Sequence, residues 1–144
     1  MYIKELGHVV LYVTSLKKSV HFYKEILGFG LIAEQPGMAA FSSGRTHHEM
    51  LLIEIGGKKK QKKLEPGLYH IGFKIGESGQ ELKKAYDELK RKEVKITGSA
   101  DHTVSHSLYI EDPDGNEIEL YVDITEKWKK DKKLIMAPIK PLNL

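Results

Sequence analysis

Residues 7–13 (Gly7-His8-Val9-Val10-Leu11-Tyr12-Val13) and residues 69–75 (Tyr69-His70-Ile71-Gly72-Phe73-Lys74-Ile75) read as one strand written twice. Each alternates with the period of two that a strand buried on one face requires, and each carries histidine as its second residue. After the first copy, Thr14 or Ser15 is placed to cap a helix with Leu16, Val20, Tyr23 and Leu27 on one face. Gly28 is placed to end that helix in a left-handed conformation. Short β-like stretches follow near 29–34 and 38–42, then a longer one over 48–55. After the second copy, a helix from about Ser78 to Lys92 sets Leu82, Ala85, Tyr86 and Leu89 at helical spacing. Strands follow near 94–97, 105–111 and 116–122. The last two are joined by Asp112-Pro113-Asp114-Gly115, where proline pre-sets the turn and glycine permits positive φ.

Each half is therefore β-α-β-β-β, and neither can bury a sheet face alone. The expected fold class is α+β: two βαβββ modules packed side by side as one curved mixed sheet, with the helices on its outer face. The expected organisation is a single domain over residues 1–144. Module 1 spans about 4–56, a lysine-rich linker 57–67, module 2 about 68–123 and a C-terminal tail 124–144.

Composition narrows the function classes. The 144 residues are 40% apolar and 30% charged, too apolar for a disordered chain, and no run approaches the ~20 apolar residues of a membrane span. Cysteine is absent, which excludes disulfides, thiolate metal sites and cysteine nucleophiles. Met1 to Val13 contains no basic stretch leading into a long apolar segment, so a soluble, cytoplasmic protein without a signal peptide is expected. The formal net charge is +3, from 23 basic and 20 acidic residues, with Arg45 and Arg91 the only arginines. The lysines concentrate in Lys58-Lys59-Lys60-Gln61-Lys62-Lys63 and around Lys127 to Lys133, where Trp128 is the one interleaved aromatic. Nucleic-acid readers lean on arginine for bidentate contacts, so these runs read as solvated segments and neither nucleic acid nor membrane is an expected partner.

Alternation also sorts the polar residues. Val9, Leu11 and Val13 share one face of their strand, Ile71, Phe73 and Ile75 one face of the second, and Ile118, Leu120 and Val122 one face of the last. With those faces under the helices, His8, His70 and Glu119 all point to the opposite side. Two imidazoles and a carboxylate so disposed resemble the facial triad that leaves metal positions open for substrate. A lone histidine in a strand is usually an ordinary polar residue; equivalent positions, equal parity and a carboxylate on the closing strand favour a divalent-metal site.

These residues resemble the vicinal oxygen chelate superfamily of glyoxalases, extradiol dioxygenases and antibiotic-resistance proteins. The signatures are Gly7-His8-Val9-Val10-Leu11, Phe22 to Phe29, Tyr69-His70-Ile71-Gly72-Phe73 and Asp112 to Leu120, and the resemblance implies His8, His70 and Glu119 as the metal ligands. Within it the chain is most similar to small catechol 2,3-dioxygenase-like proteins. Arg45-Thr46-His47-His48-Glu49-Met50-Leu51 resembles their His-His-x-x-Leu strand, which implies His48 as an acid–base residue. Asp101 to Tyr109 resembles their second-sphere segment, which implies that Tyr109 hydrogen-bonds a substrate oxygen and that His102 assists it. The tail, with Trp128 and Met136 to Leu142, is also similar to theirs.

The implied activity is an Fe(II)-dependent extradiol ring cleavage of a small catecholic substrate with dioxygen, by a homodimer, with Mn(II), Ni(II) or Zn(II) as alternative metals. By parity His47 and His106 face away from His48 and Tyr109, and His21 lies on a helix as a structural or exposed residue. The rival is a glyoxalase-type isomerase, in which Glu54, within Leu51-Leu52-Ile53-Glu54-Ile55, is the possible fourth metal ligand. The chain lacks an arginine cluster suited to a glutathione carboxylate. Fosfomycin-resistance transferases place threonine where Val10 stands, and a metal-free binding module leaves the triad without a purpose.

Overall fold

The computed structural model describes residues 1–59 and 66–144. Of the lysine-rich linker, residues 60–65 lie outside the described residues. The chain divides into two compact units, Met1–Lys62 with Pro113–Gly115, and Lys63–Asp112 with Asn116–Leu144. Each carries a four-stranded mixed sheet of the expected β-α-β-β-β order. No described helix is long and apolar enough to cross a membrane.

In the first unit β1 (Val9–Val13) runs parallel to β4 (Met50–Glu54), with β3 (Met38–Phe41) and β2 (Leu31–Gln35) added antiparallel. Leu11 and Val13 are buried whereas Val10 and Tyr12 are exposed, as the alternation requires. Helix α1 (Leu16–Val20) starts at Ser15, whose hydroxyl accepts the Lys18 N–H, while the Glu54 carboxylate accepts the Leu16 N–H at 2.5 Å. The expected single helix face is not kept. From His21 to Ile26 the chain widens into a π-helical segment, marked by the Leu27 N–H bonding the Phe22 carbonyl. The added residue per turn rotates Phe22 and Tyr23 together into the core, where Tyr23 meets Phe22 edge-on at 5.2 Å and Phe41 at 6.0 Å. Gly28, at φ +70°, ends it.

The strand expected over 48–55 begins only at Met50. The preceding loop is folded by its own short polar side chains: Ser42 Oγ donates to the Thr46 carbonyl, and the Glu49 carboxylate accepts from Ser43 and from Arg45. Also in this unit, the buried Asp114 carboxylate accepts the Thr14 N–H at 3.1 and 3.2 Å and the hydroxyl of buried Ser19 at 3.5 Å. Asp114→Ala strands both donors, and urea unfolding is expected to show a loss of about 1–3 kcal/mol. An unchanged midpoint would mean that water replaces the carboxylate at no cost.

In the second unit β5 (His70–Gly76) runs parallel to β8 (Glu117–Asp123), followed by β7 (Ser105–Glu111) and β6 (Ile96–Asp101), both antiparallel. Helix α2 (Gly79–Arg91), capped by Ser78, packs buried Leu82 and Leu89 over β5, β7 and β8. Ile118, Leu120, Val122, Leu108 and Ile110 are buried on those strands, so the alternate residues of β7 and β8 stand on the other face. The tail forms 3-10 turns at Lys127–Lys129 and Lys132–Met136, then joins the β6 edge through paired Asp101–Lys140 backbone bonds.

Candidate metal centre

The face of the second sheet away from α2 collects the chemistry. Strand register sets His70 beside Glu117 and Tyr109 beside Glu119, and Gly72 beside Glu119 on the other flank. His70 Nε2 lies 3.2 Å from Glu119 Oε2, and the Tyr109 hydroxyl donates to Glu119 Oε1 at 3.1 Å. His102 Nε2 is 2.8 Å from the Tyr109 oxygen. With the single phenolic hydrogen directed at Glu119, the imidazole is the donor in that bond. His102 is offered by the β6–β7 turn, in which Thr103 adopts φ +71° and its N–H is held by Asp101 Oδ1 at 2.6 Å. That conformation is uncommon for a β-branched residue and aims the turn toward Tyr109.

Burial, then the Glu119 charge and hydrogen bond, push the Tyr109 phenol far above its ordinary range. Tyr109 is thus a neutral donor throughout the physiological range. An absorbance titration of phenolate is expected to place Tyr109 in a late phase that it shares with Tyr121, whose phenol burial and the Asp123 charge also push up. Tyr109→Phe is expected to shrink that late phase by the absorbance of one tyrosine; a late phase of undiminished size would mean that Tyr109 titrates earlier.

The pair His70–Glu119 fits a divalent cation. Nitrogen and oxygen ligands lie about 2.0–2.2 Å from such an ion, which sets neighbouring ligand atoms about 3.0–3.4 Å apart, the spacing found here. Both side chains are largely buried, at 28% and 16% exposure, and each offers the donor type that borderline divalent metals accept. A Cβ on Gly72 would stand 3.3 Å from Glu119 Oε2, so glycine leaves the carboxylate its room. Among the described residues no group of three His, Asp or Glu side chains meets metal-ligand spacing.

His8 and His48 lie in the first unit, on the segment before β1 and on the loop before β4. Their rings are 4.5 Å apart. Arg45 bonds the Leu6 and Gly7 carbonyls at 3.2 and 3.3 Å and the Glu49 carboxylate at 3.0 Å, clasping the two segments together. His47, expected to face away, instead sets its Nδ1 2.6 Å from that of His48. Alternation does not hold there because 42–49 is a loop. Desolvation, then His47 and His8, lowers the pKa of His48, which keeps it neutral near pH 7. Glu54 caps α1 through the Leu16 N–H. His106 lies 3.7 Å from Asp101, and His21 is exposed. Glu117, Gly72 and Arg45 were not singled out by sequence; a carboxylate or glycine at strand parity with a ligand was the available signal for the first two.

Residues 5–120 match the family model described as "Glyoxalase/Bleomycin resistance protein/Dioxygenase superfamily". The chain belongs to this superfamily. It is 32% identical over 120 residues to biphenyl-2,3-diol 1,2-dioxygenase 3 of Rhodococcus globerulus, covering 82% of this chain and 63% of that enzyme, so it spans less than two thirds of that relative's length. It is 28% identical over 128 residues to metallothiol transferase FosB of Staphylococcus haemolyticus, covering 86% and 87% of the two chains. Among solved structures, a glyoxalase/dioxygenase from Nostoc punctiforme aligns with a TM-score of 0.69 at 21% identity, covering 85% of this chain and 92% of that one, a likeness of fold. The superfamily therefore includes dioxygenases and metallothiol transferases, enzymes on one scaffold.

Proposed function

We propose that the protein is a metal-dependent extradiol dioxygenase that opens the ring of a small catecholic substrate, working as a cytoplasmic homodimer. The observation that carries this reading is the neutral Tyr109 hydroxyl held between Glu119 and His102, beside His70. Three kinds of residue divide the work. His70 and Glu119 would hold the cation, and His8, from this chain or from a second copy, would complete the ligand set. When bound, the cation, Fe(II) first and Mn(II), Ni(II) or Zn(II) as alternatives, would supply the positive charge and electronic link needed to join a catecholic ring with dioxygen.

The chain's own groups then handle protons and orientation. His48, kept neutral by its surroundings, takes the proton of a ring hydroxyl and returns it to the product. Tyr109 turns its hydroxyl to a substrate oxygen, and His102 fixes the orientation of the phenol through the 2.8 Å bond. The test is anaerobic loading with Fe(II), addition of catechol and admission of air. Oxygen uptake with the yellow absorbance of a ring-opened product supports the reading; metal uptake without either rejects it.

A second reading is a thiol or hemithioacetal chemistry on the same cation, favoured by the near-complete length match to the metallothiol transferase. The glyoxalase form of that reading uses Glu54 as a fourth ligand, whereas Glu54 is engaged by the Leu16 N–H. Turnover of a hemithioacetal by Ni(II)-loaded protein without oxygen would select it.

A further inference from the structure

His70 carries two carboxylates, one at each ring nitrogen. Glu119 is at Nε2, and Glu117 Oε1 is 3.8 Å from Nδ1. His70 Nδ1 is buried and makes no hydrogen bond, although a buried imidazole nitrogen without a partner is costly. The ring cannot easily turn away, because Tyr69 packs on it at 4.8 Å between ring centres and Tyr109 stands at 6.0 Å. The paired register of His70 and Glu117 keeps the carboxylate at this edge, and Glu117 is only 13% exposed.

We propose that Glu117 is a positioning residue: its carboxylate accepts the His70 Nδ1–H and so reserves Nε2 for the metal. The inference rests on the reading of His70 as a ligand. A histidine that ligates through one nitrogen needs its single proton on the other, and a carboxylate there fixes the tautomer, aims the ring and raises the basicity of the ligating nitrogen. The gap of 3.8 Å is beyond a hydrogen bond, and the proposed contact requires the Glu117 carboxylate to move toward the ring. The effect of Glu117 passes through His70, the side chain it approaches.

The test uses Zn(II) alone, with affinity measured by competition against a chromophoric chelator for the wild type, Glu117→Gln, Glu117→Leu and His70→Ala. Glu117→Leu is expected to weaken binding about 10–100-fold, while Glu117→Gln, whose amide oxygen still accepts from Nδ1–H, recovers most of it. In the Zn(II)-loaded wild type, proton NMR is expected to show a slowly exchanging His70 Nδ1–H that Glu117→Leu lacks. Thermal unfolding of the metal-free variants controls for folding, and Glu117→Gln keeps the test open if the leucine variant does not fold. Wild-type affinity in both Glu117 variants, with His70→Ala weakened, overturns the role of Glu117 and leaves the metal reading standing. Equal affinity for wild type and His70→Ala removes the ligand reading and this inference with it.

Discussion

Glu119→Ala is expected to leave a folded protein that no longer retains metal and no longer turns over. Glu119 meets His70 on one oxygen and Tyr109 on the other, so in the proposed metal centre one truncation removes a ligand and frees the phenol. The fall in metal affinity should exceed the ~10–100-fold that loss of an outer partner produces. Turnover should drop at least as far, because the proposed reaction needs the cation. Metal content after dialysis and activity at saturating metal check the two parts. Circular dichroism checks the fold, which draws its stability from Ile118, Leu120 and Val122 on the other face of β8. Full metal occupancy in Glu119→Ala would take the centre away from this strand.

His48→Ala is expected to behave in the opposite way, keeping metal and losing rate. A positioned proton acceptor is worth about 10²–10⁴-fold, and the lower end suits a residue on a loop. The pH profile carries the sharper signature. Because desolvation and neighbouring His47 and His8 hold His48 below its usual value, its neutral, accepting form persists as pH falls to below about 6.5. Wild-type activity should therefore show an acid limb placed below that point, and the limb should vanish in the variant. Unchanged rate and an unchanged limb would remove His48 from the chemistry.

Much of this was legible in the chain itself, and the boundary has a physical cause. Alternation holds where a strand has one buried face, so β1 and β8 sort as read, with Leu11, Val13, Ile118, Leu120 and Val122 buried. That sorting is what put Glu119 and His70 on a common side of the second sheet, where they meet. The same rule misplaced His47, because Ser42, Thr46 and Glu49 fold residues 42–49 into a loop whose side chains follow local hydrogen bonds. Helical periodicity located both helices but not the π-helical segment after Val20, since a local widening leaves no simple spacing signal. Glu117 was hidden for a different reason. Parity groups it with Glu119, but only strand register shows that it faces the far nitrogen of His70.

An extradiol dioxygenase, the proposed activity, directs both atoms of dioxygen into its catecholic ring. The most direct measurement is a single turnover of Fe(II)-loaded protein with catechol under ¹⁸O₂, with the product analysed by mass spectrometry. The expected result is a ring-opened product carrying two heavy oxygen atoms, one of them exchangeable with water where it ends as an aldehyde. A product without heavy oxygen, or intact catechol alongside metal-dependent conversion of a thiol adduct, would contradict it.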